Sequence, residues 1–98
     1  MINTAALTHA LAQLSTAQPF AHCVVDDFFS PELALQLAAE FPAYTDPRWF
    51  VYQNPLEDKK ALNDWNAFPP QTYSTLAQLN SRAFVDLLEP TLGTTLQA

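Results

Sequence analysis

Residues 19–41 read PFAHCVVDDFFSPELALQLAAEF, and the fold depends on how this stretch divides. Phe20 to Val25 is a short, mostly apolar run that ends in two β-branched valines, the pattern of a buried strand. Asp26-Asp27 close it as turn residues whose carboxylates favour nearby backbone amides. Ser30-Pro31-Glu32 then opens a helix, with Ser30 as N-cap, Pro31 at the first helical position and Glu32 in the first turn. Leu33, Ala34, Leu37, Ala38 and Phe41 share one helical face, and Pro42 ends the element. The expectation is strand, acidic turn, capped helix.

Upstream, Asn3 or Thr4 caps a helix reaching to about Leu14, with Ala6, Leu7, Ala10, Leu11 and Leu14 on one face. Residues 15–18 are a polar connector. Downstream, Arg48 to Gln53 is aromatic and β-branched, with apolar side chains on both faces, which predicts a strand buried on both sides. Asn54-Pro55 marks a turn. Leu56 to Asn66 has poor apolar spacing and predicts an irregular segment or one helical turn. Pro70 opens a helix to about Asn80 with Tyr73, Leu76 and Ala77 facing inward. Asn80 or Ser81 then caps a last helix carrying a stripe of Phe84, Leu87, Leu88, Thr91 and Leu92. Pro90 kinks or ends that helix, Gly93 stops it, and Thr94 to Ala98 add no closing element.

Composition excludes several classes. The 98 residues are 49% hydrophobic and 12% aromatic, too apolar for a disordered chain. Ten acids against four bases give a formal charge of −6, which argues against nucleic acid, whose phosphates need clustered Lys and Arg. Lys59-Lys60 are flanked by Glu57, Asp58 and Asp64 and read as a solvated mixed-charge face. One Gly against eight Pro leaves the turns to Pro, Asn and Asp. The lone Cys23 leaves no internal disulfide. With no signal peptide and no eighteen-residue apolar run, the expectation is a cytoplasmic protein without membrane contact.

No residue set makes an active site. Asp26 and Asp27, and likewise His22 and Cys23, are neighbours on an expected strand and would point to opposite faces, so neither pair forms a metal site or a Cys–His catalytic pair. His9 falls on the polar side of its helix. Neither His stands in an HxH, HxD or HExxH spacing, and a single Gly forbids a P-loop or GxGxxG. No catalytic or metal-binding residue is assigned. A small hydrolase using Asp26 or Asp64 with His22 has no motif behind it. The most unusual chemistry is WFVYQNPLEDKKALNDWN, residues 49–66, where Tyr52, Asn54 and Lys60 are candidates for a substrate pocket or partner surface.

PFAHCVVDDFFSPELALQLAAEFP, then W-x-x-Y-x-NPLEDKKALND, FPP and LNSRAFVDLLEPTLG, in that order, resembles the N-terminal segment of bacterial Fe(II)- and 2-oxoglutarate-dependent oxygenases of the prolyl-hydroxylase-like group. The likeness spans about Pro19 to Gly93, and Glu89-Pro90-Thr91-Leu92-Gly93 departs from the family's usual ending. It implies an α+β fold, the N-terminal helices and first strands of a double-stranded β-helix (jelly-roll), incomplete in this chain. Residues 1–98 would form a single partial domain, divided into 1–18, 19–42, 48–66 and 70–93. The complete protein would hydroxylate an unknown substrate using Fe(II) and 2-oxoglutarate. In the family an HxD pair and a distal His hold the iron, and these would lie downstream, so no cofactor is expected on these residues. An incomplete jelly-roll also leaves an open sheet edge that invites self-association. The alternative is a small stand-alone acidic interaction module.

Overall fold

The computed structural model describes residues 2–97. It is a mixed α+β arrangement: α1 (Thr4–Leu11), α2 (Pro31–Glu40), an antiparallel hairpin of β1 (Phe50–Asn54) and β2 (Glu57–Ala61), then α3 (Pro70–Leu79) and α4 (Arg82–Leu92). Single 3₁₀ turns at Leu14–Thr16 and Trp65–Ala67 lie between them. Among the described residues no helix is long and apolar enough to cross a membrane.

Local capping chemistry places the helix starts. Asn3 Oδ1 accepts from the Ala6 amide at 3.0 Å, Ser30 Oγ from Leu33 at 3.2 Å, and Ser81 Oγ from Phe84 at 3.2 Å. Each bond satisfies an amide that the first helical turn leaves without a backbone partner. The start of α3 has no such residue, since Pro69 stands at its N-cap. Glu40, the last residue of α2, supplies the cap from another element. Its carboxylate accepts from the Gln71 amide at 3.2 Å and from the Thr72 hydroxyl at 2.8 Å, and also takes the Thr72 amide. Partial desolvation would raise the Glu40 pKa, but the three Thr72 and Gln71 hydrogen bonds outweigh it and hold it below its ordinary value. One side chain thus joins the end of α2 to the start of α3.

The buried core is small and helical: Ile2, Leu7, Ala10, Leu11, Leu33 and Val85, with Thr75 beside them. Helix α1 packs on α4, α2 on α3, and α3 on α4. Phe28 lies edge-on to Phe84 at 6.4 Å between ring centroids and against Phe29 at 5.1 Å, which ties the residues before α2 to α4.

Four expectations need correction. Phe20 to Val25 is not a strand: Phe20 and Ala21 lie in a bend, and residues 22–25 belong to no helix or strand. Among the described residues its backbone makes no bond to another segment, and Phe20 and Val24 are exposed. A strand exists only by pairing, and the pairing here falls further along, where Asn3 donates to the Phe28 carbonyl at 2.6 Å and Ile2 bridges Phe29. Strand β1 forms as its residues predict, yet all five of its residues are exposed instead of buried on both sides, because neither face meets another layer. Glu57–Ala61, expected to be irregular or helical, is its partner strand; cross-strand pairing overrides its fair helix propensity. The apolar faces of α2, α3 and α4 are only partly covered: Leu33 and Val85 are buried, but Phe41, Tyr73, Leu87 and Leu92 are exposed, and Thr75 takes the buried position on α3.

The chain end differs as well. Helix α4 runs through Pro90 to Leu92, and Gly93 ends it in the left-handed region at φ 67°, where glycine alone avoids a steric penalty. The described residues beyond it add no helix or strand, as expected, yet Leu96 is tied back to α4, and Ala98 lies outside the described residues. Glu89 accepts from the Leu96 amide at 2.9 Å and pairs with Arg82, which also donates to the Leu96 carbonyl at 3.0 Å. The Leu96 amide first, then Arg82, hold the Glu89 carboxyl below its ordinary value.

Candidate functional site

The segment between α2 and β2 holds the three candidate residues, so its construction decides what they can do. Asp46 and Arg48 form a two-point ion pair, Nε–Oδ1 at 3.0 Å and Nη2–Oδ2 at 2.8 Å. The same carboxylate accepts from the Arg48 amide at 2.9 Å, and the guanidinium reaches on to the Ala67 carbonyl at 2.9 Å. Hydrogen bonds from the Arg48 side chain first, and from its amide next, lower the Asp46 carboxyl to about 2. Trp49 follows directly. Its indole N–H donates to the Ala43 carbonyl at 2.8 Å, and its ring lies 5.8 Å from that of Phe41. This arginine clamp ties the residues just before β1 to the 3₁₀ turn that follows β2.

The hairpin closes on two residues, with Asn54 opposite Glu57 across Pro55-Leu56. Two-residue loops usually call on Gly at positive φ, yet neither Pro55 nor Leu56 takes one. The Asn54 side chain substitutes: its Oδ1 accepts from both the Leu56 and Glu57 amides at 2.9 Å. This is a turn built from Asn and Pro, as the single glycine of the chain predicts.

Tyr52, Asn54 and Lys60 therefore do not converge. Side chains alternate along a strand, and the register pairs Tyr52 with Lys59 and Val51 with Lys60. Tyr52 and Asn54 share a face, while Lys60 lies on the opposite one. Asn54 is committed to the turn. Lys60 donates to the Tyr44 carbonyl and holds its ammonium 3.7 Å from the Tyr44 ring centroid, so it anchors the loop to β2. Tyr52 is left on the surface, its ring tilted against that of Phe50 at 4.7 Å between centroids and the Lys59 ammonium 5.0 Å from its ring centroid. Phe41, Tyr44, Phe50, Val51 and Leu56 are exposed along the same segment. The result is an exposed aromatic surface. The residues that organise it, Asp46, Arg48 and Tyr44, escaped the sequence reading. For Asp46 and Arg48 the sequence offers only the Asp-Pro-Arg spacing, and for Tyr44 it offers nothing.

A second place brings chemistry-bearing residues together. A cleft of about 530 Å³ between α1 and the irregular segment before α2 is lined by His9, Ala10, His22, Cys23, Val24 and Asp26, among others. The divergence of His22 from Cys23 rested on strand geometry. Without the strand both reach the same cleft. His22 Nδ1 lies 2.7 Å from the Phe20 carbonyl, which suits a proton on Nδ1 and leaves Nε2 as the free ring nitrogen. Asp26-Asp27 form a turn, with Asp27 at φ 55°, a conformation Asp tolerates better than most residues. Even so, among the described residues no three His, Cys, Asp or Glu side chains stand where one metal ion could be held.

Comparison with protein-family models, with curated proteins and with solved structures found no match.

Proposed function

We propose that the chain is the N-terminal, non-catalytic portion of a jelly-roll Fe(II)/2-oxoglutarate-dependent oxygenase, a support on which a catalytic sheet would rest. The sequence resemblance over Pro19 to Gly93 names the family, and one physical quantity supports a supporting role. The accessible surface is 7331 Å², whereas a compact monomer of 10.9 kDa exposes about 5,600 Å². The radius of gyration agrees in direction: 16.5 Å against about 13 Å for a compact chain of this length. Much apolar surface therefore waits for a partner layer, including Phe20, Val24, Leu35 and Phe41 on and beside the strand–turn–helix stretch.

The chain's own residues do not fit an iron centre. Neither His9 nor His22 begins an HxD sequence, and no three ligand groups converge among the described residues. No step of oxygenase chemistry is assigned to them. Their role in this reading is to cover one side of the sheet, with Phe20 to Val25 completing a strand once a neighbour supplies the missing hydrogen bonds.

The coding DNA tests this reading. An open frame running past the Ala98 codon into an HxD motif and a distal His is the expected result. A stop codon there, together with a cooperatively folded 98-residue chain that binds no 2-oxoglutarate-type enzyme fragment, would overturn it. The exposed aromatic segment from Phe41 to Tyr52 would then favour the interaction-module reading, since exposed aromatics mark partner surfaces.

A further inference from the structure

The hairpin has two outer edges, and they differ. In a two-residue hairpin the pair beside the loop exchanges hydrogen bonds, and bonded and non-bonded pairs alternate from there. Counting from Asn54–Glu57 in the observed register, Phe50, Tyr52 and Asn54 direct their backbone groups to β2. Val51 and Gln53 direct theirs outward. Among the described residues no other backbone group bonds to these two. Strand β1, FVYQN, carries no charge, whereas β2, EDKKA, carries Glu57, Asp58, Lys59 and Lys60. Charged side chains, Lys above all, are how an edge strand is kept from pairing. The β2 edge is guarded; the β1 edge is not.

We propose that β1 pairs antiparallel with β1 of a second copy of this chain, across a two-fold axis at Tyr52. The product is one continuous sheet in the order β2–β1–β1–β2. Val51 of each copy stands opposite Gln53 of the other, and these outward backbone groups form about four hydrogen bonds. The Phe50 and Tyr52 rings already lie against each other, tilted at 55° with centroids 4.7 Å apart, so the axis sets two such pairs end to end on one face. On the other face Val51 meets the aliphatic part of Gln53. Pairing through β2 about Lys59 instead would set Asp58 opposite Lys60 but would also put Lys59 directly against Lys59, an unfavourable cross-strand pair. The chain as a whole, at 7331 Å², exposes about 1,700 Å² more than a compact monomer, where a standard interface takes about 800 Å² from each partner, and Phe50, Val51 and Tyr52 of β1 are among its exposed apolar residues. An isologous contact also closes on itself, so both unguarded edges are consumed and no fibre grows. The pairing depends on the hairpin edge alone and stands apart from the oxygenase reading.

Sedimentation equilibrium of the 98-residue chain tests it. The expected mass is twice 10.9 kDa. Val51→Pro removes an outward donor that has no acceptor within the chain, and should halve the mass with the far-UV circular dichroism unchanged. Asp58→Pro removes the equivalent outward donor on β2 and should leave the mass doubled. If Val51→Pro loses its helical signal, Tyr52→Lys replaces it, since it sets two like charges on the axis and should also halve the mass. A monomeric wild-type chain overturns the proposal. So does a dimer that survives the β1 substitutions, a mass halved equally by Asp58→Pro, or an open-ended series of larger species.

Discussion

The helical body and the hairpin arm differ in where their backbone polar groups find partners. A helix satisfies nearly all of them within itself and needs help only at its ends. Here that help comes from Asn3, Ser30, Ser81 and, across elements, Glu40. A two-stranded hairpin satisfies only its inner edge and is at best marginal alone. The burial follows the same line. Every core residue lies in or beside the helices, while β1 has none buried and β2 only partly covers Lys60 and Ala61. The hairpin holds its shape through its own turn and through the Arg48 and Lys60 anchors, not through a core. A segment can thus be well formed locally and still contribute almost nothing to global stability.

Three measurements would break or sharpen that contrast. The largest effect belongs to the body: Leu7→Ala, at a buried site, should cost about 2–5 kcal/mol in urea unfolding. Phe50→Ala, at a site 60% exposed, should cost no more than about 0.5 kcal/mol when made in the Val51→Pro background. Equal losses from the two would erase the distinction between body and arm.

Capping comes next in size. Ser30→Ala removes the oxygen that accepts from Leu33 and should cost about 0.5–2 kcal/mol, with the loss visible in the helical signal and not in the environment of Trp49. A change confined to Trp49 would mean that the cap serves the arm.

Acid gives the smallest and most local effect. The folded pKa of Asp46 is depressed from 3.8 to about 2, so its contribution is fully present above pH 3.8 and is lost as pH falls through about 2. In a Trp65→Phe background, Trp49 fluorescence should stay constant from neutral pH down to about 4 and shift as pH falls through about 2, where Asp46 takes up a proton and the Arg48 clamp opens. Asp46→Asn should remove that transition. An unchanged transition in the variant would place the acid sensitivity in the helices, where Glu40 and Glu89 are also held below their ordinary values.

Much of the fold was legible because its determinants are local. Ser30-Pro31-Glu32, Asn3 and Ser81 announce helix starts through hydrogen bonds reaching three residues or fewer. Gly93 announces a stop through its own φ. Asn54-Pro55 announces a turn for the same reason. The candidate site was less legible. Tyr52, Asn54 and Lys60 lie close in sequence, but hairpin register separates Lys60 from the other two, and register belongs to the pairing of two segments. The cleft shared by His9, His22, Cys23 and Asp26 depends on Phe20 to Val25 not being a strand, which no local pattern announces.

By itself the sequence determined the helices, the caps of three of them, the turn at Asn54-Pro55 and the β character of Phe50 to Gln53, though not that Arg48 and Trp49 stay outside the strand. All of these draw on dihedral preference and hydrogen bonds between near neighbours. Only the tertiary structure decided which extended segment became a strand, which apolar faces were covered, and that Glu40 caps α3. The physical reason is common to all three. A strand's backbone and a helix's apolar face are completed by distant parts of a chain or by another chain. Phe20 to Val25 has the residues of a strand and lacks the neighbour that would make it one.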